Sequence, residues 1–447
     1  MSDATADRGI PLDPHAATVA TAGGTAEGPL VTADGKPLAA SLRRAEGRNR
    51  RRAFLLVLPL LAFVLLTFVA PIGQMLYRSV SDPRFIEHRD VTTGETTPIM
   101  VNLREWFDAN PDAEPNEEAF AALQQDFVLL RELRAQGNVG TRINYEAPGT
   151  RSLFTSTARR AARMEAPYME AFLDIDEDWA DPTLWRVMRG ASSRFTDNFY
   201  LAALDLERGP DGVQQVDERQ RVYKKLFIRT AILSVLITSL TLILGFPIAH
   251  LLATLPLRYS NLLMIFVLLP FWTSLLVRTT SWIVLLQSQG VVNDVAVATG
   301  LIDDSSRLQM IYNQTGTIVA MTHILLPFMV LPLYSVMRPI DPSYVRAARS
   351  LGATSWTAFR RVYLPQTIPG IGAGALLVFI LAVGYYITPA LVGGSSGQLI
   401  SNLIAFHMQS SLNWSLAAAL AALLLGGVLI LYWLYDRIVG IDNLKLG

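Results

Sequence analysis

Six long apolar stretches without a single aspartate or glutamate limit the possible folds of this chain more than any other feature. They lie at 54–76, 227–254, 262–286, 315–337, 366–391 and 412–435. A helix needs about 20 apolar residues to cross a bilayer. Because the bilayer interior offers no water to backbone polar groups, each stretch must be helical to satisfy them. The sequence therefore predicts an all-α membrane protein with six transmembrane helices.

The acidic residues are concentrated between the first two stretches. Segment 81–220 holds 26 of the 38 acidic residues against 15 lysines and arginines, a net charge of −11. Apolar residues at helical spacing between Pro115 and Gly137 predict one helix that ends at that glycine, and Asp181-Pro182 predicts the start of another. The segment is interpreted as a small, mainly helical domain outside the membrane. Its acidity is typical of a solvated surface, although it could also attract cationic ligands.

The distribution of arginine predicts the orientation in the membrane. Positively charged residues mark cytoplasmic loops. Loop 338–365 contains five arginines, whereas loop 392–411 contains neither lysine nor arginine. Both termini and loop 338–365 are therefore predicted to be cytoplasmic, and the acidic insert periplasmic. Six further arginines lie together just before the first stretch: Arg43, Arg44, Arg48, Arg50, Arg51 and Arg52.

These patterns divide the chain into five parts. The predicted parts are a cytoplasmic tail at 1–50, a first transmembrane helix at 51–80, a periplasmic insert at 81–222, a core with five transmembrane helices at 223–440, and a cytoplasmic tail at 441–447. The N-terminal part lacks apolar periodicity and is expected to be disordered.

The chain contains no cysteine, which excludes disulfides and thiolate metal sites.

Loop 338–365 carries the most specific pattern in the chain. It reads RPIDPSYVRAARSLGATSWTAFRRVYLP and leads into the fifth stretch. Asp341 can cap a first short helix, and Gly352 can end it in a left-handed conformation. Thr354 can cap a second short helix, and Pro365 would then set the entry into the membrane. The pattern predicts two short helices at a bend, which a soluble partner could grip.

This loop resembles the cytoplasmic coupling loop, or EAA loop, of ABC importer permeases. The family pattern is Glu-Ala-Ala, three residues, Gly, an apolar position and Leu-Pro, and Arg346 stands here in place of the usual Glu. Segments 268–286, 289–294, 325–342 and 387–394 look like the spermidine/putrescine-type branch. The resemblance implies that an ATPase is contacted through Arg346, Ala347, Ala348, Gly352, Ala353, Trp356, Phe359, Leu364 and Pro365.

The resemblance also implies partners and a cellular location. A permease of this type I importer kind lies in the bacterial inner membrane and works with a second permease subunit, separate ABC ATPase subunits and a periplasmic substrate-binding protein. The resemblance implies that the chain is not itself an enzyme, because its partner hydrolyses ATP. It also implies neither a cofactor nor nucleic-acid binding. The implied cargo is a polyamine, such as spermidine or putrescine, or a similar small polar solute.

Residues that could line the substrate path are fewer. Aromatic faces attract cations, which makes Trp272, Tyr385 and Tyr386 candidates for the path. Arg278 is a charge well inside a stretch and is a candidate by default. It could instead extend its guanidinium to the membrane surface. No metal site is predicted, since the single histidines His250 and His323 are interpreted as packing residues.

Other classes of membrane protein remain as alternatives. An ion-driven secondary carrier would need ionisable groups or an inverted repeat near the membrane midplane. A receptor sensing through the 81–222 insert would need a cytoplasmic output domain. An enzyme within the membrane would need a catalytic constellation, and no paired carboxylates, histidine pair or nucleophile elbow accompanies the apolar stretches.

Overall fold

The structure is a computed structural model that describes residues 38–209 and 212–439. The chain divides into two compact units between Ile72 and Gly73. Within the described residues nearly all regular structure is helical, and the strands form only two short hairpins. This confirms the predicted all-α class.

One long helix opens the described chain. It consists of α1 (Leu38–Val64), a π-helical turn (Leu65–Val69) and α2 (Ala70–Arg78). Its section Arg50–Arg78 is long and apolar enough to cross a membrane. Residues 38–50, which the sequence assigned to the disordered tail, are helical, because leucine, alanine, arginine and glutamate favour helix. The rest of that predicted tail, 1–37, lies outside the described residues.

The insert between the first two spans is a small helical domain. Apart from short 3-10 turns, its helices are α3 (Val101–Ala109), α4 (Glu117–Glu132), α5 (Gln136–Asn144), α6 (Thr150–Arg160), α7 (Tyr168–Leu173), α8 (Pro182–Ala191) and α9 (Asn198–Ala203). Strand β1 (Glu87–Arg89) pairs antiparallel with β2 (Thr96–Pro98), and β3 (Leu206–Gly209) with β4 (Gly212–Gln215). Sequence reasoning did not predict these hairpins.

Aromatic rings form the core of the insert. Trp179 is fully buried, and its indole nitrogen donates a hydrogen bond to Thr157 Oγ1 at 3.0 Å. The Trp185 indole donates to the Trp179 carbonyl at 2.8 Å, so both buried N–H groups are satisfied. The other buried rings of this cluster are Phe120, Phe127, Phe154 and Phe172. An interior of this kind gives the insert a hydrophobic core of its own.

The two predicted helix boundaries in the insert had different outcomes. Helix α8 begins at Pro182, and the Asp181 carboxylate accepts a hydrogen bond from the Thr183 N–H at 2.8 Å, as predicted. The prediction that Gly137 ends the earlier helix was wrong. Helix α4 ends at Glu132, and Arg134 adopts the left-handed conformation with φ of 52°. Gly137 therefore lies within α5.

Helices of very different lengths make up the remainder of the chain. Five helices, counting the N-terminal one, are long and apolar enough to span a membrane, and a bent pair would make a sixth. The elements after the insert are α10 (Tyr223–Thr254), α11 (Leu257–Leu268), α12 (Leu275–Leu286), α13 (Val291–Ala298), α14 (Gln314–Met337), α15 (Ser343–Ser350), α16 (Ser355–Ala358), α17 (Leu364–Gly384), α18 (Ile387–Val392), α19 (Gly394–Gly397), α20 (Ile400–Gln409) and α21 (Trp414–Val439).

The third apolar stretch is not the single straight helix that the sequence predicted. Residues 257–272 and 275–298 are bent by 97° where the chain breaks. A 3-10 turn containing Pro270 ends the first part. Ser274 starts the second part, because its hydroxyl accepts a hydrogen bond from the Val277 N–H at 3.2 Å. The apolar composition is continuous across this break, which is why hydropathy did not reveal it.

Small residues bring α14 and α17 close together. A Cβ atom placed on Gly374 would lie 2.8 Å from Met329 Sδ, and one on Gly370 would lie 3.0 Å from Val336 Cβ. The spacing of these glycines predicts a face that permits close helix approach. Their position against α14 agrees with that prediction. Helix α10 packs against the same pair through a buried core that includes Leu233 and Leu333.

The insert is joined to the membrane helices by a carboxylate at a helix start. Asp205 accepts hydrogen bonds from the N–H groups of Val222, Tyr223 and Lys224 at 2.7–3.0 Å. These donors have no partner within α10, so the carboxylate satisfies them and suits the positive end of the helix dipole. Residues of α9 also pack on α20 and α21 in a shared apolar cluster.

A buried charge network lies beside this junction. Arg142 is 1% exposed and contacts Glu146 Oε1 at 2.6 Å and Asp82 Oδ2 at 3.8 Å. Arg84 also pairs with Asp82. Burial alone would raise the pKa of the Asp82 carboxyl, but the hydrogen bonds and charge of Arg84, with the charge of Arg142, bring it below its ordinary value. The network therefore keeps Asp82 ionised.

Candidate coupling surface and substrate path

Helix α15 forms the first half of loop 338–365. The Asp341 carboxylate accepts a hydrogen bond from the Ser343 N–H at 2.7 Å, which caps the helix and lowers the pKa of that carboxyl. Gly352 follows the helix with φ of 90°, and the Ala353 N–H donates to the Ala348 carbonyl at 3.1 Å. Only glycine adopts this conformation without strain. The predicted cap and stop therefore lie where the sequence placed them.

The second half of the loop is not a separate helix. The Thr354 hydroxyl accepts a hydrogen bond from the Thr357 N–H at 3.2 Å and caps α16, as predicted. From there, Ser355–Gly384 form one 30-residue helix that includes the fifth span. A π-helical turn, Phe359–Tyr363, directly precedes Leu364-Pro365. We attribute this wider turn to Pro365, which lacks an N–H and would otherwise clash with the preceding turn.

Three stacked aromatic rings run along this continuous helix. The Trp356 and Phe359 ring centroids are 5.7 Å apart, and those of Phe359 and Tyr363 are 5.8 Å apart. The Tyr363 hydroxyl lies 3.0 Å from His250 Nδ1 on α10. The rings thus connect an exposed tryptophan on the loop with the second span. Of the three, Trp356 is 68% exposed.

An arginine at the end of α14 holds the adjacent helix end. Arg338 Nη1 donates to the carbonyls of Ala253 and Leu255 at 2.7 and 3.1 Å. Carbonyls at a helix C-terminus lack partners within the helix, and a cation there is favourable. Sequence reasoning used Arg338 only as an orientation signal and missed this role, because the two helices are distant in the sequence.

A cavity of about 830 Å³ lies beneath α15. Its walls come from the ends of α10 and α14, from α15 itself and from the start of the continuous helix. His250, Arg338, Asp341, Arg346 and Tyr363 are among the residues that line it. Arg346, which replaces the expected glutamate, therefore lies at the edge of this cavity.

The other predicted coupling residues lie along the loop surface with differing exposure. Ala347, Gly352 and Pro365 are exposed, whereas Ala348 and Ala353 are partly buried. Phe359 and Leu364 are partly buried as well. The loop thus presents small residues outward together with the large side chains of Tyr344, Leu351 and Trp356.

The structure brings only some of the predicted path residues together. Arg278 is partly buried on α12, and this helix contacts α18, which directly follows Tyr386, because the hydroxyls of Thr279 and Thr388 lie 3.2 Å apart. Among the described residues, Arg278 Nε is a buried donor with no hydrogen-bond acceptor. In contrast, Trp272 is 72% exposed beside the bend, and Tyr386 is exposed as well.

The two tyrosines lie after the fifth span rather than late within it. Helix α17 ends at Gly384. The Tyr385 carbonyl accepts a hydrogen bond from Ser401 Oγ at 2.6 Å, and the Tyr386 carbonyl accepts one from Asn402 Nδ2 at 2.7 Å. These bonds satisfy backbone groups where the helix is interrupted.

Both single histidines contact aromatic side chains. His250 lies against Tyr363, and His323 Nδ1 accepts a hydrogen bond from the Trp282 indole at 3.2 Å. In the part of the chain that the structure describes, no three His, Cys, Asp or Glu side chains are arranged to hold a metal ion.

The chain is similar to known transport proteins. Residues 242–439 match the family model for the binding-protein-dependent transport system inner membrane component. The spermidine/putrescine transport system permease protein PotB of Salmonella typhimurium (strain SL1344) is 34% identical over 221 residues, which cover 49% of this chain and 76% of that protein. PotB of Escherichia coli (strain K12) is also 34% identical, with 80% of its length covered.

Two further similarities are more distant. The sulfate transport system permease protein CysT of Escherichia coli (strain K12) is 29% identical over 126 residues, or 28% of this chain and 46% of that protein. A solved bacterial alginate ABC transporter, in complex with an alginate pentasaccharide-bound periplasmic protein, has a chain with 18% identity and a TM-score of 0.41, covering 66% of this chain and 99% of that chain.

The identity and coverage of the PotB proteins are sufficient to assign the family. The matched residues include three of the five long apolar helices and the C-terminal part of a fourth, and the acidic insert lies outside the family match. Several membrane-spanning helices and the family match together indicate a multi-pass protein of the inner membrane. The chain belongs to the binding-protein-dependent transport system inner membrane component family of transport permeases.

Proposed function

We propose that this chain is one permease subunit of an ATP-driven importer and that a separate ATPase acts on loop 338–365. One observation carries the proposal: Ser355–Gly384 are a single helix, so the second half of the loop continues into the fifth span without an intervening loop. A force applied to Trp356 would move that span directly. Gly352 provides a local break between this helix and α15.

The remaining coupling residues suit contact with a soluble partner. The exposed face of α15 carries Arg346 and Ala347, and small residues allow close approach of another protein. Movement of α15 would also reach α14, because only residues 338–342 separate the two helices. Through Arg338 and His250, the end of α10 would follow. The loop is thus connected to the second, fourth and fifth spans.

The proposal includes an orientation and a set of partners. The arginine distribution supports cytoplasmic termini, a cytoplasmic loop 338–365 and a periplasmic insert at 81–222. The family's name supports a periplasmic substrate-binding protein as a partner. A second permease subunit would complete the path, and the core at 223–440 would supply this chain's share of it.

Replacing Trp356 with alanine should weaken association with the ATPase by about 30-fold, because an exposed tryptophan at an interface centre typically contributes about 2 kcal/mol or more. The measurement is the dissociation constant between the detergent-purified permease pair and the ATPase. Trp433→Ala is the matched control, since Trp433 is 65% exposed on α21. Equal affinities for wild type and W356A would contradict the proposed coupling surface.

A polyamine is the substrate that the PotB relatives support best. Tyr385 offers an aromatic face near the end of the fifth span, and cations bind such faces. A second candidate is an anionic solute, which one observation favours: Arg278 is partly buried, and its Nε is a buried donor without an acceptor among the described residues. The CysT relative transports sulfate by its name.

Substrate uptake by the complete transporter in proteoliposomes discriminates between these candidates. We expect saturable spermidine uptake that Arg278→Gln changes by no more than about twofold, because an arginine makes no favourable contact with a cationic substrate and its removal therefore takes no substrate-binding interaction away. Uptake of sulfate in place of spermidine, lost in the R278Q variant, would instead establish the anionic candidate.

A further inference from the structure

A cleft of about 580 Å³ lies in the insert, where the first span ends. Its lining includes Arg186 and Arg189 of α8, Arg208 of β3, and Val80 and Phe195. The insert as a whole is strongly acidic, yet this cleft contains three arginines and one carboxylate, that of Asp197. Its charge is therefore opposite to that of the surrounding domain.

The three arginines differ in what they contact. Arg208 pairs with Asp197 Oδ1 at 2.6 Å. Arg189 donates to the carbonyls of Asn110 and Ala113 at 3.1 and 2.8 Å, so both of its terminal guanidinium nitrogens already bind backbone. Arg186 is partly buried and makes no hydrogen bond or ion pair with any residue of 38–209 or 212–439. One guanidinium is thus held in the cleft with its donors available.

The position of the cleft relative to the membrane follows from its contacts with the end of α2. The Thr196 N–H donates to the Val80 carbonyl at 2.8 Å. The Phe195 ring meets the Tyr77 ring edge to face at 6.1 Å. Nearby, the Arg78 guanidinium lies over the Trp414 ring at the start of α21. Tyrosine and tryptophan at span ends mark the headgroup level of a bilayer.

We propose that this cleft binds the phosphodiester headgroup of an anionic phospholipid. Arginine binds phosphate oxygens through two parallel N–H donors, and Arg186 is positioned to do so. Net positive charge at headgroup level attracts anionic lipids. Phe195 is exposed at the rim and offers an apolar surface to the glycerol and upper acyl chain. A lipid supplies both the phosphate and this apolar part, whereas free phosphate supplies only the first.

Native mass spectrometry of the full-length chain, titrated with phosphatidylglycerol in detergent, tests the proposal. We expect one phosphatidylglycerol to bind more tightly than phosphatidylcholine, and Arg186→Gln to weaken it about tenfold, because a charge-assisted hydrogen bond is lost. Arg208→Gln should weaken it as well. The matched control is Arg151→Gln, since Arg151 lines a groove on α6 that no residue of 77–81 borders.

Three outcomes would overturn the inference. One is equal affinity of wild type and R186Q for phosphatidylglycerol while both retain the same melting temperature. Another is an equal loss of affinity in R151Q, which would indicate general attraction to the insert's cations. The third is Arg186-dependent binding of inorganic phosphate without binding of the lipid, which would assign the cleft to a soluble phosphate. None of these outcomes depends on transport activity.

Discussion

Leucine in place of Gly374 is expected to destabilise the membrane core by about 1–3 kcal/mol, the usual cost of adding bulk to a packed interior. A Cβ atom alone would come within 2.8 Å of Met329 Sδ and 3.3 Å of the Met329 carbonyl oxygen. The thioether is flexible and can move, so Gly374→Ala should be tolerated better. The larger leucine side chain would push against the backbone of α14, which cannot retreat without separating the two spans.

Thermal unfolding of the detergent-purified chain, followed by size-exclusion chromatography after heating, measures this effect. Gly427→Leu is the matched control, because nothing lies within 4 Å of a Cβ atom built at Gly427 on α21. We expect G374L to lower the melting temperature and G427L to leave it nearly unchanged. Equal melting temperatures for G374L and wild type would show that α14 and α17 do not pack as closely as described.

Methionine in place of Arg142 should destabilise the insert by about 3 kcal/mol, because removing one partner of a buried ion pair leaves charges uncompensated. Arg142 is 1% exposed and contacts both Glu146 and Asp82. Its guanidinium also lies 5.1 Å from the centroid of the Phe199 ring. Arg84 remains paired with Asp82, which places the expected cost at the low end for such pairs.

Hydrogen exchange of the full-length chain reports this loss locally. Since each 1.36 kcal/mol corresponds to a factor of ten, amides of α5 and α6 should lose about 100-fold of their protection in R142M. Arg151→Met, an exposed substitution on α6, should leave protection unchanged. Protection in R142M that matches wild type would mean that the buried network does not stabilise the insert.

Hydropathy predicted most of the membrane helices because spanning a bilayer is a requirement on composition and length. It did not predict the 97° bend, since Thr273 and Ser274 are two residues within an otherwise apolar run. The available signals were Pro270, which cannot donate a hydrogen bond, and Ser274, a good helix cap. Because hydropathy is uniform along this third stretch, it gives no information about the direction in which the two helices run.

The candidate site was predictable as far as its signals are local. Asp341, Gly352 and Thr354 act on backbone groups within five residues along the chain, and each does so in the structure. The contacts of Arg338 with Ala253 and of Tyr363 with His250 join residues about 85 and 113 positions apart. Such partners depend on tertiary packing, which the residue pattern alone does not contain.

The contrast between local signals and tertiary contacts also applies to Pro365 at the end of the loop. Pro365 reads as a helix break, because it removes a hydrogen bond and crowds the preceding turn. In the structure the chain widens into a π-helical turn over Phe359–Tyr363 and continues as a helix. Packing of Tyr363 against α10 holds that turn in place, so tertiary contact outweighs the local preference.

The unbroken helix from Ser355 to Gly384 also has a mechanical consequence. At 1.5 Å per residue its 30 residues extend for about 45 Å. A rigid rod of that length, tilted by ~5° about its loop end, would displace its other end by ~4 Å, given the same rise per residue. Tyr385 directly follows that end. A tilt that leaves the loop end in place would therefore move this aromatic ring by more than the diameter of a water molecule.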